Sequence, residues 1–213
     1  RSIRDVDILV HPDDARPAIQ ELLAHGYSLT AEASLDDCLD FVRQSPGSAG
    51  NEAISLANAK GASIDLHWKL GAIPVSTLLA EARTAVVMDR PAPVVSPRHS
   101  ALLLAHHALR NNFVVEKTVH DILDFDTGLR RWPQEMNASE LLVLADSFNL
   151  TAPLLALEEI VTAARGQAAT WLSPAARDQD RQTASQLAKL CAHQMEYGAL
   201  NTDLVYLADP ATL

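Results

Sequence analysis

The chain of 213 residues is short of several things, and each shortage closes off a class of function. Two cysteines, Cys38 and Cys191, are too few for a disulfide framework or a CxxC zinc knuckle, which makes a reducing compartment the default. The eight glycines never fall two residues apart and no G-x-x-x-x-G-K-[ST] occurs, so Rossmann and Walker-type phosphate loops are absent. Neither an H-E-x-x-H nor a G-x-S-x-G is present, which removes the commonest zinc-protease and α/β-hydrolase signatures. Apolar runs such as Ala101–Ala105 fall far short of the roughly 18 residues that a membrane helix requires, and no charged start leads into an apolar h-region. No membrane association and a cytoplasmic location are therefore expected. Positive charge is also scarce. Seventeen Lys and Arg stand against 27 Asp and Glu, a net charge of −10, so the bulk field repels phosphate backbones and general nucleic-acid coating is not expected. A local site that imports its positive charge as metal ions is compatible with that balance.

What is present is a chain with 48% hydrophobic residues, enough for one large domain or two small ones. The texture changes midway. The first half alternates short β-like runs with helical periods. Val6-Asp7-Ile8-Leu9-Val10 reads as a strand stopped by His11-Pro12, and Asp13 and Asp14 stand where N-cap and first-turn carboxylates stabilise a helix running to Gly26. Tyr27–Thr30 reads as a second strand, a further helical pattern starts at Ser34, and residues 45–50 read as loop. Ala53–Ala57 and Ala62–Leu70 are β-like runs joined by Asn58-Ala59-Lys60-Gly61, a hairpin-turn composition that predicts antiparallel pairing. A short helix is expected around Val75–Ala82 and a β-like stretch over Thr84–Met88, and the proline-rich Arg90–Pro97 marks a boundary. Beyond it, helical periods recur around Ala101–Leu109, Val115–Leu129, Ser139–Phe148, Ala152–Ala164 and Ala175–Tyr197, with no strand among them. The expected architecture is α+β: a small mixed sheet over residues 1–92 and an all-helical domain over 97–213, with a site in the cleft between them.

Chemistry concentrates in two places on the β-like runs. In Asp5-Val6-Asp7, period-two geometry sends both carboxylates to one side, with Cβ atoms roughly 7 Å apart, close enough to share a divalent cation. In Ile64–Lys69 the apolar Ile64, Leu66 and Trp68 alternate with Asp65, His67 and Lys69, which leaves an ionisable face that a plain core strand does not need. An isolated D-x-D is more often a solvated edge strand, whose charges discourage aggregation. Asp65 is the best third carboxylate for a two-cation site.

The two places together resemble one family. Arg4-Asp5-Val6-Asp7-Ile8-Leu9-Val10 with the later Gly26-Tyr27, and Ile64-Asp65-Leu66-His67-Trp68-Lys69-Leu70, are similar to the R-D-[IV]-D-[LI]-L-V … G-Y and [VI]-D-L-H-W-x-L signatures of the uncharacterised nucleotidyltransferase group in the polymerase-β-like superfamily. A third stretch, from His106 through Lys117 to Asp121 and Leu123, is similar to the group's helical part. The resemblance implies a nucleotidyltransferase. Asp5, Asp7 and Asp65 would hold two Mg²⁺ or Mn²⁺ ions, Asp65 also assisting deprotonation of an acceptor. An NTP such as ATP would be the donor, and the acceptor a protein, an RNA or a small molecule. Arg4, His67, Lys69 and Lys117 are the candidate nucleotide-binding residues. Superfamily members usually carry a Gly-Gly or Gly-Ser turn ahead of the acidic pair; the chain opens at Arg1 with a strand under way and shows none, so either such a turn lies upstream or the triphosphate grip is degenerate. Without it, a lapsed nucleotide sensor or protein-interaction module is the alternative. A third reading takes His106, His107, His120 and Asp121 as the start of an HD-type phosphohydrolase site, but adjacent histidines diverge by about 100° on a helix.

Overall fold

A computed structural model describes residues 5–30, 36, 53–87, 89–111, 113, 115–166 and 171–197. The helical pattern expected from Ser34 and the loop at 45–50 lie outside these residues, apart from Asp36, which is helical. The chain divides into two compact units, Arg1–Ala82 and Arg83–Leu213.

The first unit is built on a mixed four-stranded sheet. Its strands are β1 (Asp5–Leu9), β2 (Tyr27–Leu29), β3 (Ala53–Asn58) and β4 (Ser63–His67), in the order β1-β4-β3-β2. β1 runs parallel to β4, while β3 pairs antiparallel with both β4 and β2. The β3–β4 hairpin forms as its turn composition predicts. Gly61 takes φ +80°, and the Asn58 side-chain oxygen accepts from the backbone N–H groups of Lys60 and Ala62, both at 3.0 Å.

One face of this sheet is covered by α1 (Ala15–Ala24). Ala15, Ala18, Ile19, Leu22 and Leu23 recur at helical spacing, and Ile19 is buried with Leu56 and Leu66 at the centre of the core. Ile8, Val10, Leu29 and Ile54 pack around that centre. Asp14 stands at the N-cap position of α1, as expected, but its side chain makes no capping hydrogen bond. Asp13 and Asp14 sit in a 3₁₀ turn, Pro12–Asp14, ahead of the helix, and it is the His11 ring that accepts the Asp13 N–H, at 3.3 Å. Pro12 sets the tight φ that such a turn needs. Gly26, at φ +83°, ends the helix as its C′ position requires. After the sheet comes a short α2 (Val75–Ala80), with Val75 and Leu78 buried.

The second unit opens with a two-stranded antiparallel ribbon, β5 (Arg83–Val87) and β6 (Arg90–Val94). β6 runs through the proline-rich Arg90–Pro97 stretch: Pro91 and Pro93 pair with Val86 and Thr84 within the ribbon. Each strand of a two-stranded ribbon has a free edge, so a residue without an N–H is tolerated at positions that donate nothing to the ladder.

Five helices follow: α3 (Pro97–Arg110), α4 (Val115–Arg131), α5 (Ala138–Ser147), α6 (Thr151–Ala164) and α7 (Asp178–Tyr197). No strand lies among their described residues, as the periodicity predicts. α6 is apolar on nearly all sides, with Leu154 to Leu157, Ile160 and Val161 buried, and it is packed by α3, α4, α5 and α7. Its buried Glu158 is held by the backbone N–H groups of Trp171 and Leu172, at 2.5 and 2.6 Å. No helix among the described residues is long and apolar enough to cross a membrane.

Candidate functional site

The face of the sheet opposite α1 carries the polar residues. Alternation along β4 sends Ile64 and Leu66 into the core and leaves Ser63, Asp65 and His67 half-buried on the other side. Along β1, Ile8 and Val10 pack on the core while Asp7 stays exposed.

The parallel register then decides the geometry. Asp7 pairs with Asp65, and adjacent strands lie about 4.8 Å apart, so two acids 58 positions apart in the sequence become immediate neighbours on one face. His67, two residues beyond Asp65, completes the group. Its Nε2–H donates to Asp7 Oδ1 at 3.0 Å. The ligand atoms of Asp7, Asp65 and His67 all lie within 4.8 Å of one another, the only such metal-ligating group of three or more among the described residues. The His67 ring is mostly buried, at 16% side-chain exposure against 70% for Asp7, and its Nδ1 is buried without a hydrogen-bond partner among the described residues.

Two carboxylates side by side repel one another when both are ionised, and a cation between them converts that repulsion into attraction. Two carboxylate oxygens and an imidazole nitrogen form a donor set that first-row divalent metals accept. The residues therefore fit a divalent cation.

The model of the uncharacterised nucleotidyltransferase family matches residues 1–163. The chain belongs to that family. The match runs through the sheet and on across α3, α4, α5 and most of α6, so the helices are part of what defines a nucleotidyltransferase of this family. No curated protein matches the chain.

Of the residues that the sequence proposed for a nucleotidyltransferase site, Asp7, Asp65 and His67 are brought together. Asp5 lies in β1 in register with Ser63, and its side chain is outside the described residues. Lys69 is half-buried, two residues past His67 and beyond the end of β4. Lys117 lies in α4, with its side chain also undescribed, and Arg4 is outside the described residues. Trp68 is buried.

The sequence reading missed Ser55. It is in register with Asp65 on β3, so Asp7, Asp65 and Ser55 form a row across three strands. Counting outward from the Asn58–Gly61 turn would have found it, because Ala57 pairs with Ser63 and every second pair falls on the same face.

The HD-type histidines arrange themselves differently from a metal cluster. His107 Nδ1–H donates to both oxygens of the buried Asp121 carboxylate, at 3.0 and 2.8 Å, and the Asn111 amide nitrogen lies 3.0 Å from His107 Nε2. The arrangement ties α3 to α4, and no third ligand joins it among the described residues.

Proposed function

We propose that the protein is a metal-dependent nucleotidyltransferase that moves an NMP group from an NTP to an acceptor, releasing pyrophosphate. The observation that carries this reading is the parallel register that sets Asp7 beside Asp65, with His67 in contact, in a chain that belongs to a nucleotidyltransferase family.

Asp5, Asp7 and Asp65 are the proposed cation-holding carboxylates, with Mg²⁺ or Mn²⁺ as the ions. Divalent ions bound there would stabilise the attacking and leaving oxygens of an in-line displacement and neutralise the triphosphate, which a chain of net charge −10 cannot do alone. Asp65 accepts the proton of the acceptor hydroxyl, since it stands in the middle of the Asp7–Asp65–Ser55 row, between the other carboxylate and a small hydroxyl side chain. The acceptor oxygen forms its bond to the α-phosphorus as the bond from that phosphorus to the bridging oxygen of pyrophosphate breaks. Arg4, Lys69 and Lys117 are proposed as cationic contacts to the phosphates, and His67 stands against the carboxylate pair, in contact with Asp7. ATP is the first donor to try, and a protein, an RNA or a small hydroxyl compound is the acceptor.

The test is transfer of label from α-³²P-labelled NTPs to acceptors in a cell extract and to purified RNA, with the wild-type protein and Asp7→Asn. Labelled product and pyrophosphate from wild type, lost by several orders of magnitude in Asp7→Asn, support the reading. Equal labelling by both proteins refutes it.

A further inference from the structure

The His67 contact says more than that the ring is near a cation site. Two ligands about 2.1 Å from an ion and at right angles to each other are about 3.0 Å apart. His67 Nε2 and Asp7 Oδ1 already stand at 3.0 Å. The ring is largely buried and its Nδ1 has no hydrogen-bond partner among the described residues, where the contact that orients it is the one to Asp7. Asp65 adds a carboxylate oxygen within 4.8 Å of both.

Resting on the nucleotidyltransferase reading, we infer that His67 is itself a metal ligand through Nε2 and that the site selects a nitrogen-accepting transition-metal dication, Mn²⁺ or Co²⁺, over Mg²⁺. On ligation the imidazole stays neutral: Nε2 gives its lone pair to the ion and the ring proton resides on Nδ1. The preference follows from ligand chemistry. Mg²⁺ is a hard ion that takes oxygens and keeps its waters, and it gains little from an imidazole. Affinity for a site containing nitrogen rises along the first-row series from Mn²⁺ to Co²⁺. An all-carboxylate site would show a smaller step between Mg²⁺ and Co²⁺.

The experiment is pulsed electron paramagnetic resonance of Mn²⁺ on the full chain, with inorganic tripolyphosphate in place of a nucleotide so that the probe contributes no nitrogen. Wild type, His67→Gln and Asp65→Asn are compared, together with displacement of Mn²⁺ by Co²⁺ and by Mg²⁺. The expected result is ¹⁴N modulation of the bound Mn²⁺ signal in wild type, absent in His67→Gln. Co²⁺ should displace Mn²⁺ at a concentration at least tenfold below that of Mg²⁺, with the gap closing in His67→Gln. Bound Mn²⁺ that is lost in Asp65→Asn yet shows no ¹⁴N modulation in wild type overturns the role of His67 and leaves the carboxylate site standing. No bound Mn²⁺ in wild type, with or without tripolyphosphate, overturns both. Circular dichroism that matches between wild type and His67→Gln confirms that the variant reports on ligation rather than on folding.

Discussion

Replacing Asp65 by Asn gives the sharpest stability test of the proposed cation site, because its described residues all lie in one unit. Asp7, Asp65 and His67 all lie within Arg1–Ala82. A metal–nucleotide complex present at 100 times its dissociation constant adds about 2.7 kcal/mol to the folded state. If the chain melts as one cooperative body of its full length, each kcal/mol moves Tm by roughly 2–4 °C, and the shift is about 5–11 °C. If the first unit melts separately, its smaller unfolding entropy raises the sensitivity to roughly 4–8 °C per kcal/mol, and its transition moves by about 11–22 °C while the second stays in place. Differential scanning calorimetry with Mn²⁺ and ATP distinguishes the two cases. In Asp65→Asn the shift should fall below about 2 °C at the same concentrations, since the carboxylate between Asp7 and Ser55 is gone. Without ligand the variant should be no less stable than wild type, because neutralising Asp65 also removes its repulsion with Asp7. An undiminished shift in Asp65→Asn, or a shift confined to a transition of the helical unit, would refute the placement of the site.

Other outcomes follow from the same packing. Leu66→Ala empties the centre of the sheet–α1 core, where Leu66 is fully enclosed with Ile19 and Leu56, and should cost about 2–5 kcal/mol, read as a lower urea midpoint for the first unit. Glu158→Ala leaves the Trp171 and Leu172 N–H groups without their acceptor, a loss of about 2–4 kcal/mol that chemical denaturation of the helical unit should register; an unchanged midpoint would contradict the buried bonds. Burial pushes the Cys191 thiol above its ordinary value of 9.0. In a Cys38→Ser background the folded protein should therefore resist thiol reagents at pH 8 and react fully only in denaturant. The folded state holds this proton more tightly than the unfolded one, so the thiol's contribution to stability is present below about pH 9 and declines as the pH rises past it. Rapid stoichiometric labelling of the native protein would contradict that burial.

Much of this site was legible in the sequence because it rests on a local rule. Asp7 on β1, and Asp65 and His67 on β4, follow from period-two alternation against Ile8, Ile64 and Leu66, and the hairpin at Asn58–Gly61 follows from its turn residues. What alternation cannot supply is pairing between strands far apart in the chain. The parallel register of Asp7 with Asp65, and through it the row that ends at Ser55, is fixed by how Ile8, Leu66, Leu56 and Ile19 pack together, a matter of non-local fit. The strand at Arg90–Val94 is hidden in the sequence for a physical reason as well. Its two prolines argue against a ladder strand, and only the partner strand shows that the missing N–H groups fall where none is needed. His107 and Asp121 each stood out in the sequence, but a helix pattern does not reveal that one closes on the other across α3 and α4.

On the proposed reading the acidic row on the sheet, rather than the histidines of the helical unit, takes the metal and the triphosphate. Crystals grown with Mn²⁺ and a non-hydrolysable ATP analogue test it directly, because manganese is located by its anomalous scattering without reference to any expected position. The expected result is an anomalous peak within bonding distance of both Asp7 and Asp65, with the triphosphate against it. A peak at His107 and Asp121, or a triphosphate bound away from the β1–β4 pair, would contradict it.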